Sequence, residues 1–244
     1  MLTTRGRLLC ERRSRRARAP FTFEGISLSS SLNSSTMKSR ADAWALLTEF
    51  TQSQPLRRHA LAVEATMRHL ARSKGVTDAA EIETWGLVGM LHDFDYEKDP
   101  TEQDHVWRGM EILRERGWPE PVIKAVGGHA FYTNIPRESP MEMAILAADE
   151  LTGFCGACAL IRPTKKIADV PVESVLKRLK EKSFARSVDR SYVTRGAEEW
   201  GLPLPELVAL VLAAQVPIAD RIGLGGAPAA DLPDSPAPPE PQAP

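Results

Sequence analysis

The feature that most constrains this chain is its apolar periodicity, which is helical from Ala41 onward and shows no alternating strand pattern. Trp44, Leu47 and Phe50 open one stripe, and Leu56, Ala60, Val63, Met67 and Leu70 form a second at three- and four-residue steps, with His59 beside it. A turn at Lys74-Gly75 ends that segment, Thr77 or Asp78 can cap the next, and residues 82–91 read as a largely buried helix finishing at His92-Asp93. Residues 94–101 read as a polar loop, 103–116 as a helix stopped by Gly117, and a short helix from about Pro121 ends at Gly127-Gly128 and delivers His129 into a loop. Ser139-Pro140-Met141-Glu142 combines an N-cap Ser, a Pro in the first helical turn and a capping-box Glu. The apolar helix it opens should run through Asp149 towards Leu160 and stop before Pro163, with further helices over 171–182, 189–200 and 205–219. The expected fold is an all-α, irregular multi-helix bundle over residues 39–222, in which ligands project inward from facing helices.

The two ends differ from this body. Residues 1–38 are Arg- and Ser-rich and read as a disordered or mis-initiated extension, and 223–244 as a disordered Pro/Ala-rich tail. Residues 1–40 hold nine Lys/Arg against Glu11 and Glu24, so the formal net charge of −1 leaves about −8 on the remainder. An acidic body without a basic stripe argues against stable nucleic-acid binding, and the expected partner is small. No uncharged apolar run approaches the roughly 18 residues of a membrane span. Three cysteines make no disulfide framework, which predicts a reducing, cytoplasmic setting.

Five histidines, at 59, 69, 92, 105 and 129, carry the chemical signal, because four of them fall at helix ends or beside strongly apolar stripes. His92 and Asp93 are neighbours, and a helix terminus lets imidazole and carboxylate turn towards one ion. His59 and Asp149 then arrive from two other helices. Such a nitrogen and oxygen mix suits Mn²⁺, Fe²⁺, Co²⁺ or Zn²⁺ with positions left for water and substrate.

These residues resemble the motif of the HD-domain metal-dependent phosphohydrolases, a His, then a His-Asp doublet, then a distant Asp: His59 in Leu56-Arg57-Arg58-His59, the doublet in Gly89-Met90-Leu91-His92-Asp93, and Asp149 in Ala147-Ala148-Asp149-Glu150. The resemblance covers about residues 41–220 and is to a poorly characterised subgroup of predicted hydrolases. It implies one or two divalent ions (Mn, Fe, Co, Mg or Zn) and attack on a phosphate ester or nucleotide by a metal-activated water. Some members of the superfamily bind two metals through histidines between the doublet and the last Asp, which makes His105 and His129 further ligands and Asp93 a bridge. The alternative for those two histidines is a phosphate-contacting or outer role beside a single ion.

For proton management near the water, the candidates are Asp95, Glu64 and the bridging Asp93. For gripping phosphate they are Arg58, Arg162, Lys165 and Lys98, the last displaced from where some relatives carry a lysine. His69 reads as a surface residue, Trp107 and Met110 as core, and the Cys155-Gly156-Ala157-Cys158 spacing as small buried thiols, since a structural zinc needs four ligands. Two competing functions remain open: a di-iron oxygenase of the same fold, and a non-catalytic signalling module.

Overall fold

The computed structural model describes residues 38–241; the extension expected over 1–38 thus lies, but for its last residue, outside the described residues. Among those residues there are nine α-helices and no strand: α1 (Arg40–Phe50), α2 (Gln54–Ser73), α3 (Ala79–Leu91), α4 (Trp107–Glu115), α5 (Glu120–Gly128), α6 (Pro140–Leu160), α7 (Val172–Leu179), α8 (Arg190–Trp200) and α9 (Leu204–Gln215). The all-α bundle is therefore as the periodicity predicts.

Helix starts follow the local chemistry. The capping box at Ser139 forms as expected, Ser39 makes a second one with Asp42 ahead of α1, and Asp78 caps α3 by accepting from the Glu81 amide. The core centres on α2, which packs against α3, α6 and α9, while α8 lies on α6. Two glycines permit close approach. A Cβ at Gly89 of α3 would stand 2.7 Å from the carbonyl oxygen of Val63 in α2, and one at Gly196 of α8 would stand 2.8 Å from the Ala147 Cα in α6. Thr66 and Thr152, both buried, join α2 to α6 through their hydroxyls at 3.1 Å.

α6 is long and apolar enough in composition to pass for a membrane span, but most of that stretch is buried inside the bundle, as a core helix requires. Cys155 and Cys158 are buried free thiols within it.

Two expectations change. α4 starts at Trp107 rather than near residue 103, because Val106 adopts φ 67°, a left-handed conformation that is costly for a β-branched residue and cannot continue a helix. Trp107 is 41% exposed rather than core, whereas Met110 is buried. As far as residue 241 the Pro/Ala-rich tail, which forms no helix or strand after residue 225, lies along α1 and α2. Gln54 exchanges two hydrogen bonds with the backbone of Leu232, the Trp44 indole donates to the Pro233 carbonyl, and Arg57 and Arg68 pair with Asp234 and Glu240 at 2.7 and 2.8 Å. Pro and Ala build no secondary structure there, but their backbone carbonyls and the interspersed acids satisfy donors that the helices present.

Candidate metal centre

Four of the six expected ligands are delivered by a helix or a helix end and two by the turns between α3 and α4. His59 lies in the first half of α2 and Asp149 near the middle of α6. His92 and His129 are the residues at which α3 and α5 stop, and Asp93 and His105 lie in the turns between α3 and α4. Ligand atoms from His59, His92, Asp93 and Asp149 lie within 4.8 Å of one another, and so do those of Asp93, His105 and His129.

Asp93 belongs to both groups, one oxygen to each. Its Oδ2 is 3.5 Å from His92 Nε2, while its Oδ1 is 3.2 Å from His105 Nε2 and 3.3 Å from His129 Nε2. Asp149 Oδ1 closes the first group, at 3.0 Å from His59 Nε2 and 3.2 Å from His92 Nε2. The four rings meet edge to face, with adjacent centroids 5.3–5.5 Å apart.

The imidazole tautomers test whether a cation fits. His92 Nδ1 is 2.8 Å from the Gly89 carbonyl and His129 Nδ1 is 2.6 Å from the Val126 carbonyl; a carbonyl oxygen only accepts, so both Nδ1 atoms carry the proton. His105 Nδ1 donates in the same way to Asp95 Oδ1 at 3.1 Å. In the neutral rings, three Nε2 lone pairs then face carboxylate oxygens, acceptor against acceptor. His92 Nε2 is the extreme case, fully buried and without a hydrogen-bond partner. A cation between the donors resolves the conflict, and the arrangement can hold a metal ion in each group.

Protons are the other way to resolve it, and the titration behaviour without an ion follows. Burial opposes charge on His92, yet the Asp93 and Asp149 carboxylates hold its pKa well above the ordinary imidazole value. Burial likewise opposes charge on His105, but Asp93 and Asp95 push it up to about 9. Asp93 and Asp149 are both held below the usual carboxylate range: burial works against this, and His92 with the neighbouring rings outweighs it.

No family model, curated protein or solved structure matches the chain. The site is therefore read from its own geometry.

Not every expected residue joins the centre. Asp95 is buried and both its oxygens are engaged: Oδ1 holds His105 Nδ1, and Oδ2 accepts from the Val106 and Gly109 amides at 3.0 Å each. It orients His105 and caps α4 from a distance, so the expectation that it handles the water's proton is corrected. A Cβ at Gly109 would stand 2.8 Å from this carboxylate, so the glycine makes room for it. Glu64 is also corrected, because its fully buried carboxylate is taken by Arg40 and Arg68, at 2.6 and 3.1 Å, on a different side of α2. Lys98 donates to the Glu49 carbonyl and lies over the Phe50 ring, which ties it to the end of α1 rather than to phosphate. Arg162 joins neither the ligand groups nor the cavity described next.

Arg58 and Lys165 do share a site. Together with His59 they line a cavity of about 580 Å³ between α2, α6, α9 and the segment that follows residue 222. The motif around Asp149 contains a second acid. Glu150, adjacent to Asp149, is pushed up to about 8 by burial and then by the Asp149 charge. The signal for it is an acidic pair inside an otherwise apolar helix. Tyr132 is also near the centre: its hydroxyl donates to the His105 carbonyl, and burial together with Asp93 raises its pKa.

Proposed function

We propose that this protein is a divalent-metal phosphohydrolase acting on a small phosphorylated molecule, in keeping with its resemblance to the HD superfamily. The observation that carries the reading is Asp93, whose two oxygens face two separate groups of imidazole and carboxylate donors. Ions held by His59, His92, Asp93 and Asp149 and by Asp93, His105 and His129 would supply a water of lowered pKa and positive charge against the phosphoryl oxygens. The chain contributes the rest. Asp93 sets the spacing of the two groups, Asp95 fixes the His105 tautomer, and the Gly89 and Val126 carbonyls fix those of His92 and His129.

Arg58, on the cavity side of His59, is the group assigned to an anionic oxygen of the substrate. The test is direct. Full-length protein purified without added metal or chelator is analysed for metal, then assayed for phosphate release from a broad panel of esters and nucleotides with Mn²⁺, Co²⁺, Mg²⁺ and Fe²⁺. Two ions per chain and metal-stimulated release are expected; no release from any member of the panel overturns the proposal.

Four imidazoles and two carboxylates also suit a pair of irons that activates oxygen, and this second reading rests on the same six donors. Two irons per chain with oxygen uptake, and no phosphate release, would establish it instead.

A further inference from the structure

The cavity beside His59 has a chemistry of its own. Its wall is mainly apolar, built from residues such as Pro55, Ala62, Ala157, Leu160, Ile222 and Leu224. Among the described residues its lining contains no Asp or Glu, and apart from the His59 ring and the Arg58 guanidinium no side chain offers a planar face to a nucleobase. The hydrogen-bonding side chains other than Arg58, His59 and Lys165 are Thr152 and Gln215, and both are engaged elsewhere, with Thr66 and with the Val211 carbonyl.

Its positive charge comes from Arg58 and Lys165. The Arg58 guanidinium is poorly satisfied: Nε is shielded from water without an acceptor, and Nη2 makes only 3.4 Å contacts with the Ala229 and Ala230 carbonyls and a 3.6 Å approach to the exposed Asp231. A buried donor without an acceptor is expensive, so an anionic ligand oxygen there would satisfy it. His59 links this space to the metal centre, since its ring forms part of the wall while its Nε2 meets Asp149. Gly153, one turn after Asp149, borders the same ring: a Cβ there would stand 3.7 Å from it, at ordinary contact distance. The volume is in the range of pockets that enclose a small organic ligand.

We propose that this cavity holds the body of the substrate, and that the substrate is a phosphate monoester of an apolar alcohol rather than a nucleotide. The proposal rests on the phosphohydrolase reading for its reaction. Water oxygen bonds to phosphorus, the bond from phosphorus to the ester oxygen breaks, one water proton goes to the departing alcohol and the other stays on the inorganic phosphate. Arg58 balances the phosphate charge, and the apolar wall distinguishes substrates by the surface they bury.

The test uses the full-length protein and a series of n-alkyl phosphates from methyl to decyl, with adenosine and uridine monophosphates for comparison. With Mn²⁺, kcat/KM should rise about fourfold per methylene until the cavity is full, as apolar burial predicts, and both nucleotides should fall below the longer alkyl esters. Calorimetry with decyl phosphonate and metal-free protein reads the cavity without catalysis, and binding should weaken at least tenfold in Ala157→Phe, whose ring occupies the cavity. If that variant does not fold, the chain-length series on the native protein decides alone. Hydrolysis without chain-length dependence, or with nucleotides preferred, overturns the proposal and leaves the phosphohydrolase reading intact. Decyl phosphonate binding without hydrolysis of any ester overturns the reaction and leaves the apolar anion pocket; neither binding nor hydrolysis overturns both.

Discussion

Asp95→Asn changes one atom for another and should empty half of the metal centre. The carboxylate holds three donors: the amides of Val106 and Gly109 on Oδ2 and His105 Nδ1 on Oδ1. An asparagine has one carbonyl oxygen and one NH₂ group. The two backbone amides cannot reverse their polarity, so they keep the oxygen, and the NH₂ is left facing His105 Nδ1. That ring must then give up its Nδ1 proton and carry one on Nε2, the atom 3.2 Å from Asp93 Oδ1. A protonated Nε2 has no lone pair for an ion. Loss of an outer partner of this kind lowers metal affinity by about 10- to 100-fold, or about 1.4–2.7 kcal/mol. Metal analysis and calorimetric titration of the metal-free protein should therefore show the His59, His92, Asp93 and Asp149 group filling normally and the second ion binding weakly. Two ions bound with unchanged affinity would refute the tautomer argument, and with it the role given to Asp95.

The other predictions concern charge, packing and protons. Glu64→Gln should leave metal content unchanged but cost about 3 kcal/mol in urea unfolding, because it strands Arg68 and Arg40 against a neutral amide; loss of metal with normal stability would restore Glu64 to the centre. Gly89→Ala forces a methyl to 2.7 Å from the Val63 carbonyl oxygen, so α3 must move off α2. The expected cost is roughly 1–3 kcal/mol, read as a lowered Tm, together with weaker metal binding, since His59 and His92 come from those two helices. Metal-free protein should lose stability as pH rises from about 6.5 to about 9. His105 is raised to about 9 in the folded state, so its contribution is complete below its unfolded value of 6.5 and vanishes as pH passes the folded one. The shift corresponds to about 3 kcal/mol, and thermal melts at constant salt read it; a flat profile contradicts the charge pairing.

Much of the site was legible in the sequence because its ligands sit where the chain makes local decisions. His92 and His129 fall where an apolar helix stops, and helix ends are written in short-range signals such as the Gly127-Gly128 pair and the capping box at Ser139. Roles were less legible than ligands. Asp95 and Glu64 are near the motif in sequence, and proximity alone cannot tell a carboxylate facing water from one consumed by backbone amides or by arginines. The same holds for Lys98, whose partner is the end of α1 some 49 positions earlier.

The sequence by itself determined the all-helical bundle and most helix starts, since periodicity and caps act over three or four residues; the six donors are singled out by the resemblance to the HD motif, because 5 His and 32 Asp/Glu offer far more candidates than chemistry alone can choose among. Tertiary structure decided what those donors do: which oxygen of Asp93 serves which group, which nitrogen of each ring is free, and which acids are already spent. It also brought the 223–241 segment onto α1 and α2 and made its first residues a wall of the cavity beside His59. Those facts depend on distances between residues far apart in the chain, and such distances are set only when helices pack at the spacing that glycines such as Gly89 allow.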